Sequence, residues 1–289
     1  MRRRPMLWRQ FFCSSATMPS PSPFFSVIVA THLRSTLLER ALQSLRAQTF
    51  TDFEIVVVAD ALDAGTAAVA AQRLQERDLF VKRNGPPGPA ESRNLALRLA
   101  SGEWLMFLDD DDTFAPHHLE VAHRRITQPP GAAERGARLL FSDFEVVTEN
   151  REQAQPAPLS RTPVPLQGNE VASLHVKNFI PNNALVYHRQ TLADCRVDPH
   201  LDSQEDWDFL LAACANATPT WYAGGGAVVH KDYINPGMRR GTQATSNNST
   251  VIVDFLHIYR RWRAPTPELQ AARKALIKSV GLDLPVEWF

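Results

Sequence analysis

The sequence predicts an α/β protein: a mostly parallel sheet flanked by helices, with further helices at the C-terminal end. Three observations carry this prediction. Strand-like and helix-like segments alternate through the first hundred or so residues, the rhythm of a doubly wound sheet. Phe53-Glu54-Ile55-Val56-Val57-Val58 and Trp104-Leu105-Met106-Phe107-Leu108 are nearly unbroken apolar runs, as strands covered on both faces should be. Beyond residue 248 the pattern becomes helical, over about 249–263 and 267–280, with Pro265 and Pro267 between.

Taken in order, residues 24–30 are β-branched and apolar, the first strand. Thr36-x-x-Glu39 has the form of a capping box, and Leu38, Ala41, Leu42 and Leu45 make a helical stripe. The second strand ends at Ala59-Asp60. An Ala-rich helix over 66–77 and a short strand over 79–82 follow. Gly85-Pro86-Pro87-Gly88-Pro89 is a loop, and 90–100 is helix again. After the strand at 104–108 the rhythm changes. Pro116 opens a helix to about Ile126, and 139–147 is strand-like. The proline-rich stretch 153–165 has no periodicity and reads as a surface loop. Segments 183–187 and 227–230 read as short strands, and 205–216 as a helix with an acidic first turn.

Composition narrows the function. Among 289 residues, 31 basic balance 31 acidic, so no global field draws the chain to nucleic acid. Three scattered cysteines form neither a disulfide framework nor a zinc cluster, which favours a reducing, cytoplasmic setting. No apolar run approaches the ~18–20 residues of a membrane-spanning helix. Residues 1–23 read as a disordered tail whose apolar patch, broken by Arg9, is too short for a signal peptide; Met18 is a second candidate start.

The sharpest signal is Asp109-Asp110-Asp111-Asp112, four carboxylates without a spacer at the end of a buried strand. Packed together they repel, so something positive must sit among them, and hard divalent cations choose oxygen ligands. In open α/β sheets the carboxyl ends of strands are also where ligands bind. A metal centre holding Mn²⁺ or Mg²⁺ is therefore expected here.

In this order the pieces resemble the family-two inverting glycosyltransferases, whose GT-A fold is Rossmann-related. The resemblance rests on Ser26-Val-Ile-Val-Ala-Thr31, on residues 48–60, on Ser92-Arg93-Asn94, on 102–112 and on Gln204-Glu205-Asp206-Trp207-Asp208-Phe209, and it covers about 24–230. It implies a nucleotide-sugar-binding half at 24–115, an acceptor-binding half at 116–240 and a C-terminal helical extension at 241–289. The donor would be a nucleoside-diphosphate sugar, with a UDP-sugar favoured, and the acceptor a glycan or a lipid-linked sugar.

The resemblance assigns roles residue by residue. Asp60 matches the carboxylate that holds the base and would accept the imide N–H of uracil, although Ala59 stands where relatives often carry Asp. Thr31 would touch the nucleotide, in an Ala30-Thr31-His32-Leu33 segment that departs from the usual pattern. Arg93 would approach the diphosphate or brace the carboxylates. Asp109-x-Asp111 matches the DxD motif, with Asp111 as metal ligand, Asp109 on the ribose or the metal, Asp110 in the nucleotide-sugar site, and Asp112 capping the turn or orienting a metal-bound water. Asp206 matches the catalytic base, which a helix N-terminus would keep ionised. Glu205 and Trp207 would lie on the acceptor side, Trp207 either as a sugar platform or as core. His230 would approach the metal or diphosphate, and Lys231, Arg239 and Arg240 flank a stretch at 235–248 suited to a lid. His117 and His118 read as surface.

Other readings remain open at this point. Asp109-x-Asp111-x-Thr113 also fits the nucleophile motif of haloacid-dehalogenase-type phosphatases, but those begin their domain with that strand, whereas two strand–helix units precede it here. A non-catalytic nucleotide-sugar-binding homologue would fit a degenerate motif set, against which Asp109, Asp111 and Asp206 are all present. Ile258-x-x-Arg261-Trp262 echoes the motif of processive synthases without its Gln, so single additions are expected. The tail helix mixes aromatic and basic residues and suits either core packing or peripheral contact with a membrane surface. Nothing in the sequence sets the oligomeric state.

Overall fold

The computed structural model describes residues 22–128, 131, 136–152, 156–234 and 248–289, and a sheet of nine strands runs through them. The expected tail lies outside the described residues except for its last two. β1 (Phe25–Thr31), β2 (Phe53–Ala59), β3 (Leu79–Lys82) and β4 (Trp104–Phe107) pair in parallel in the order β3-β2-β1-β4. β2 and β4 are buried along their whole length, as their apolar runs required. α1 (Ser35–Arg46), α2 (Ala64–Arg73) and α3 (Pro89–Leu99) are the crossovers, so the open ends of β1, β2 and β4 share one edge.

Local chemistry differs from expectation in two of these helices. α1 buries Leu38, Ala41, Leu42 and Leu45, but no capping box forms. The helix starts after Arg34, and Glu39 pairs with Arg73 instead. α2 begins earlier, where Asp63 accepts the Thr66 N–H, and stops at Arg73 rather than 77. The Asp78 carboxylate accepts N–H groups from Gln75 and Ile55, which fixes the turn that ends it.

Beyond residue 112 the sheet continues without a break. β5 (Thr113–Phe114) pairs with β9 (Thr220–Asp232), β9 runs parallel to β6 (Leu139–Asn150), and β8 (Leu185–His188) joins β6 to β4. α4 (His118–Thr127) and α5 (Glu205–Cys214) complete this half. The expected loop at 153–165 is instead largely β7 (Ala157–Val164), antiparallel to the outer part of β6. Its prolines hid it, but an edge strand tolerates missing donors. β9 is far longer than 227–230. Its Gly225 leaves no room for a side chain, since a Cβ there would sit 1.9 Å from Ser142 Oγ, where the β6–β9 register shifts.

α6 (Asn248–Arg261) and α7 (Pro267–Ser279) follow. α6 buries Ile258 and Tyr259, so core packing claims that face. Arg273 of α7 is fully buried and donates to the carbonyls of His175, Tyr259, Trp262 and Phe289, which ties the C-terminal helices to the body. No helix among the described residues is long and apolar enough to cross a membrane.

Candidate active site

At the end of β4 the chain turns back, with the Asp112 N–H donating to the Asp109 carbonyl at 3.0 Å, so the four carboxylates fan out rather than line up. Two point inward. Asp110 accepts from Thr31 Oγ1 at 2.8 Å and from Arg34 at 3.2 Å, and Asp112 accepts from Asn183 Nδ2 at 3.1 Å and the His230 N–H at 2.7 Å. Burial, with neighbouring carboxylate charge, pushes Asp110 up to about 6 despite Arg34 and drives Asp112 well above the usual carboxylate range. Thr31 is thus a tether for Asp110, its hydroxyl proton committed there. Asp112 pins β9 to this turn. Asp109 and Asp111 point outward, with side chains 44% and 23% exposed.

The expected positive partner is present as arginine. Arg151 donates to Asp111 Oδ2 at 2.9 Å and Arg34 reaches the same oxygen at 3.4 Å, while Arg40 donates to the Asp111 carbonyl at 2.6 Å. Behind them Glu149 collects Arg40, Arg151 and His230. Burial opposes its charge, but the bonds from His230 and Arg40 hold it down at about 2.

Whether these groups suit a divalent ion follows from the donors left over. Among the described residues no three His, Cys, Asp or Glu side chains converge as a protein-only cage requires. Mg²⁺ and ions like it need less, being held by one or two carboxylates plus substrate phosphates and water. Asp109 and Asp111, the two open carboxylates, meet that requirement. His230, expected near the metal or diphosphate, is held by other partners. Its Nδ1 lies 2.9 Å from Glu149 and its Nε2 2.9 Å from Thr113 Oγ1, so both ring nitrogens are engaged.

Arg93 connects this turn to the opposite half. It donates to Asp109 Oδ1 at 2.6 Å and to Glu205 Oε1 at 2.8 Å, so of its two expected roles it takes that of bracing carboxylates. Burial disfavours the guanidinium charge, but Asp109, Glu205 and Asp206 together raise its pKa above the ordinary value. Asp206, next in line, has one oxygen on the Trp207 N–H at 2.8 Å. Its carboxyl is pushed up to about 6 by burial and by Glu205 and Asp109, against Arg93. Desolvation and like charge thus outweigh the amide dipoles of the helix N-terminus, although a carboxyl at about 6 is still mostly ionised at neutral pH. Trp207 is core. Its ring is fully buried against Phe255 and Tyr259, with its N–H on the Leu174 carbonyl, and it offers no face to an acceptor.

At the far end of the edge, Asp60 is already satisfied. Oδ1 lies 2.6 Å from His32 Nδ1, Oδ2 accepts the Gly88 N–H at 2.6 Å, and the side chain is only 4% exposed. His118, expected on the surface, is buried instead. It accepts the Gly226 N–H at 2.8 Å and is pushed down to about 3 by burial, while His117 is exposed. Most of the expected lid, 235–247, lies outside the described residues, including Arg239 and Arg240.

A model of glycosyl transferase family 2 matches residues 26–188, more than half of the chain and the whole span from β1 to β8. The chain belongs to glycosyl transferase family 2. Among its relatives, the chain is 44% identical over 94 residues to the GalNAc(5)-diNAcBac-PP-undecaprenol beta-1,3-glucosyltransferase of Campylobacter jejuni, covering 31% of this chain and 30% of that protein. It is 28% identical over 210 residues to the succinoglycan biosynthesis protein ExoO of Rhizobium meliloti, covering 67% and 56%. The matches thus span well under two thirds of either relative. Its fold is that of the GT-A glycosyltransferases. Residues 1–349 of Staphylococcus aureus TarS, in complex with UDP-GlcNAc, superpose with a TM-score of 0.62 at 21% identity, covering 88% of this chain and 71% of that one. The mannosyltransferase PcManGT of Pyrobaculum calidifontis, in complex with GDP-Man and Mn²⁺, gives 0.55 at 16% identity, covering 93% and 79%.

The residues of this site that sequence reasoning missed are mostly cations and their supports: Arg34, Arg40, Glu149 and Arg151. Glu149-Asn150-Arg151 carried a signal, since charged residues close a strand there as they do at Asp109. Arg34 carried little, because a loop arginine ordinarily faces solvent.

Proposed function

We propose that the chain transfers a sugar, of the hexosyl class, from a nucleoside-diphosphate sugar to an acceptor hydroxyl with inversion at the anomeric carbon. A UDP-sugar is the favoured donor, and the acceptor is a glycan or lipid-linked sugar on the way to a cell-surface polysaccharide. The observation that carries this reading is Asp206: a carboxyl poised at about 6, across Arg93 from the open Asp109. An inverting displacement needs a base on the face opposite the leaving group, and a base works best when its pKa approaches the working pH. Asp206 takes the acceptor's proton as its oxygen attacks. Glu205 and Arg93 supply its charge environment. Thr31, Asp110 and Asp60 hold the three loops that border the donor. The names of relatives and neighbours support the class of donor and acceptor, and the Mn²⁺ complex supports a metal.

When bound, Mn²⁺ or Mg²⁺ on Asp109 and Asp111 would supply positive charge for the departing diphosphate. A thermal-shift screen of nucleotides and nucleotide sugars, with and without Mn²⁺, identifies the donor. With that donor, Asp206→Asn is expected to abolish transfer while donor binding survives. Asp111→Ala is expected to lose the Mn²⁺-dependent part of nucleotide binding. Full turnover by Asp206→Asn would overturn the assignment.

A further inference from the structure

Building on that reading of the site, we propose that Asp111 is an exchange point: it holds Arg34 and Arg151 until a divalent ion takes it over, and the two released guanidinium groups then bind the donor's diphosphate. The arrangement at Asp111 motivates this. One outward-facing carboxylate oxygen receives two cations, Arg151 at 2.9 Å and Arg34 at 3.4 Å. Arg151 is anchored from behind, with Nε on Glu149 at 2.8 Å and Nη2 on the His230 carbonyl at 2.8 Å, so only Nη1 points at Asp111. Arg34 shares its Nη1 between Asp111 and Asp110. Both arginines come from segments that border the open edge of the sheet, one after β1 and one after β6.

Charge explains why the exchange matters. Asp109 to Asp112, Glu149, Glu205 and Asp206 all crowd this region, and a diphosphate brings more negative charge. Arginines neutralised on carboxylates attract it poorly. An ion on Asp111 adds its own charge and frees the two guanidinium groups, which match phosphate oxygens in geometry. Metal and diphosphate then bind cooperatively, and the coupling is reciprocal.

The test is calorimetric titration of inorganic pyrophosphate and of UDP, in EDTA and in Mn²⁺, which reads binding without turnover. For wild type, tight binding is expected only with Mn²⁺. Asp111→Asn no longer holds the arginines by charge. Its metal-free affinity for pyrophosphate is expected to rise about tenfold, while the gain from Mn²⁺ disappears. Arg34→Gln/Arg151→Gln is expected to bind Mn²⁺ alone more tightly and pyrophosphate more weakly in its presence. Metal-free affinity that is unchanged or lower in Asp111→Asn overturns the exchange, as does an arginine variant whose Mn²⁺ affinity does not rise. A wild type that binds neither UDP nor pyrophosphate even with Mn²⁺ overturns the underlying site reading instead.

Discussion

The burial that raises the Asp206 carboxyl also costs the folded state, with a sign set by that shift. Its carboxyl is raised from 3.8 to about 6, so the native protein holds this proton more tightly than the unfolded chain does. The native state is then favoured by protonation, and stability from this group is lost as pH climbs from about 4 through 6. At neutral pH the ionised group destabilises by something on the order of 1–3 kcal/mol. Asp206→Asn is therefore expected to raise the melting temperature by a few degrees at pH 7.5, with the gain shrinking toward pH 5. Wild-type turnover should fall on the acid side with a midpoint near 6. Scanning calorimetry of both proteins across that range, beside a pH–rate profile, checks the pair. A variant less stable than wild type at pH 7.5 would mean that Asp206 is chiefly a structural partner of its neighbours.

At the scale of elements, what could be read in advance was local and what could not was set by pairing. The apolar runs of β2 and β4, the stripe of α1 and the acidic turn after β4 each show in a window of a few residues. β7 and the length of β9 depend on a neighbouring strand, and the arginines around Asp111 come from points far apart in the chain. Backbone strain was equally invisible. Among the described residues only Leu33 and Gln204 are non-glycines with positive φ, at 51° and 60°, and each stands just ahead of a site group, Arg34 in one case and Glu205-Asp206 in the other. Such outliers persist only where the surroundings over-determine them. At Gln204 the clamp comes from α6, whose buried Asp254 accepts both the N–H and the hydroxyl of Ser203 at 2.8 Å. α6 therefore braces the turn that leads to Asp206, the proposed base, as well as covering core. Asp254→Ala is expected to lower kcat about ten- to a hundredfold with the donor KM little changed, since misplacing a reacting group costs rate more than binding. Asp254→Asn keeps an acceptor oxygen in place and should restore most of the rate. Equal losses in both variants would show that the Ser203 clamp is not what matters.

At the scale of the whole molecule, a single sheet spans the first and second halves of the chain, and Arg93 and Asn94 of α3 tie one half to the other. Arg93 reaches Glu205 and Asn94 exchanges two hydrogen bonds with the backbone of Val197, at 2.8 and 2.9 Å, while the adjacent Ser92 receives Arg83 within the first half at 2.8 Å. All three side chains are buried. The Asn94 pair carries no charge and bonds only backbone, so it isolates the mechanical role of the segment from its chemistry. Removing that amide leaves a buried N–H and a buried C=O without partners, each costing about 1–3 kcal/mol. Asn94→Ala should thus lose about 2–5 kcal/mol in urea unfolding followed by circular dichroism and tryptophan fluorescence. It should also slow turnover, because Val197 begins the segment that leads to Asp206, while Mn²⁺-dependent UDP binding to the first half changes little. Should Asn94→Ala unfold at the wild-type midpoint, the two sides would have to be held together by the sheet alone. Loss of UDP binding in step with turnover would instead place Asn94 in the donor site.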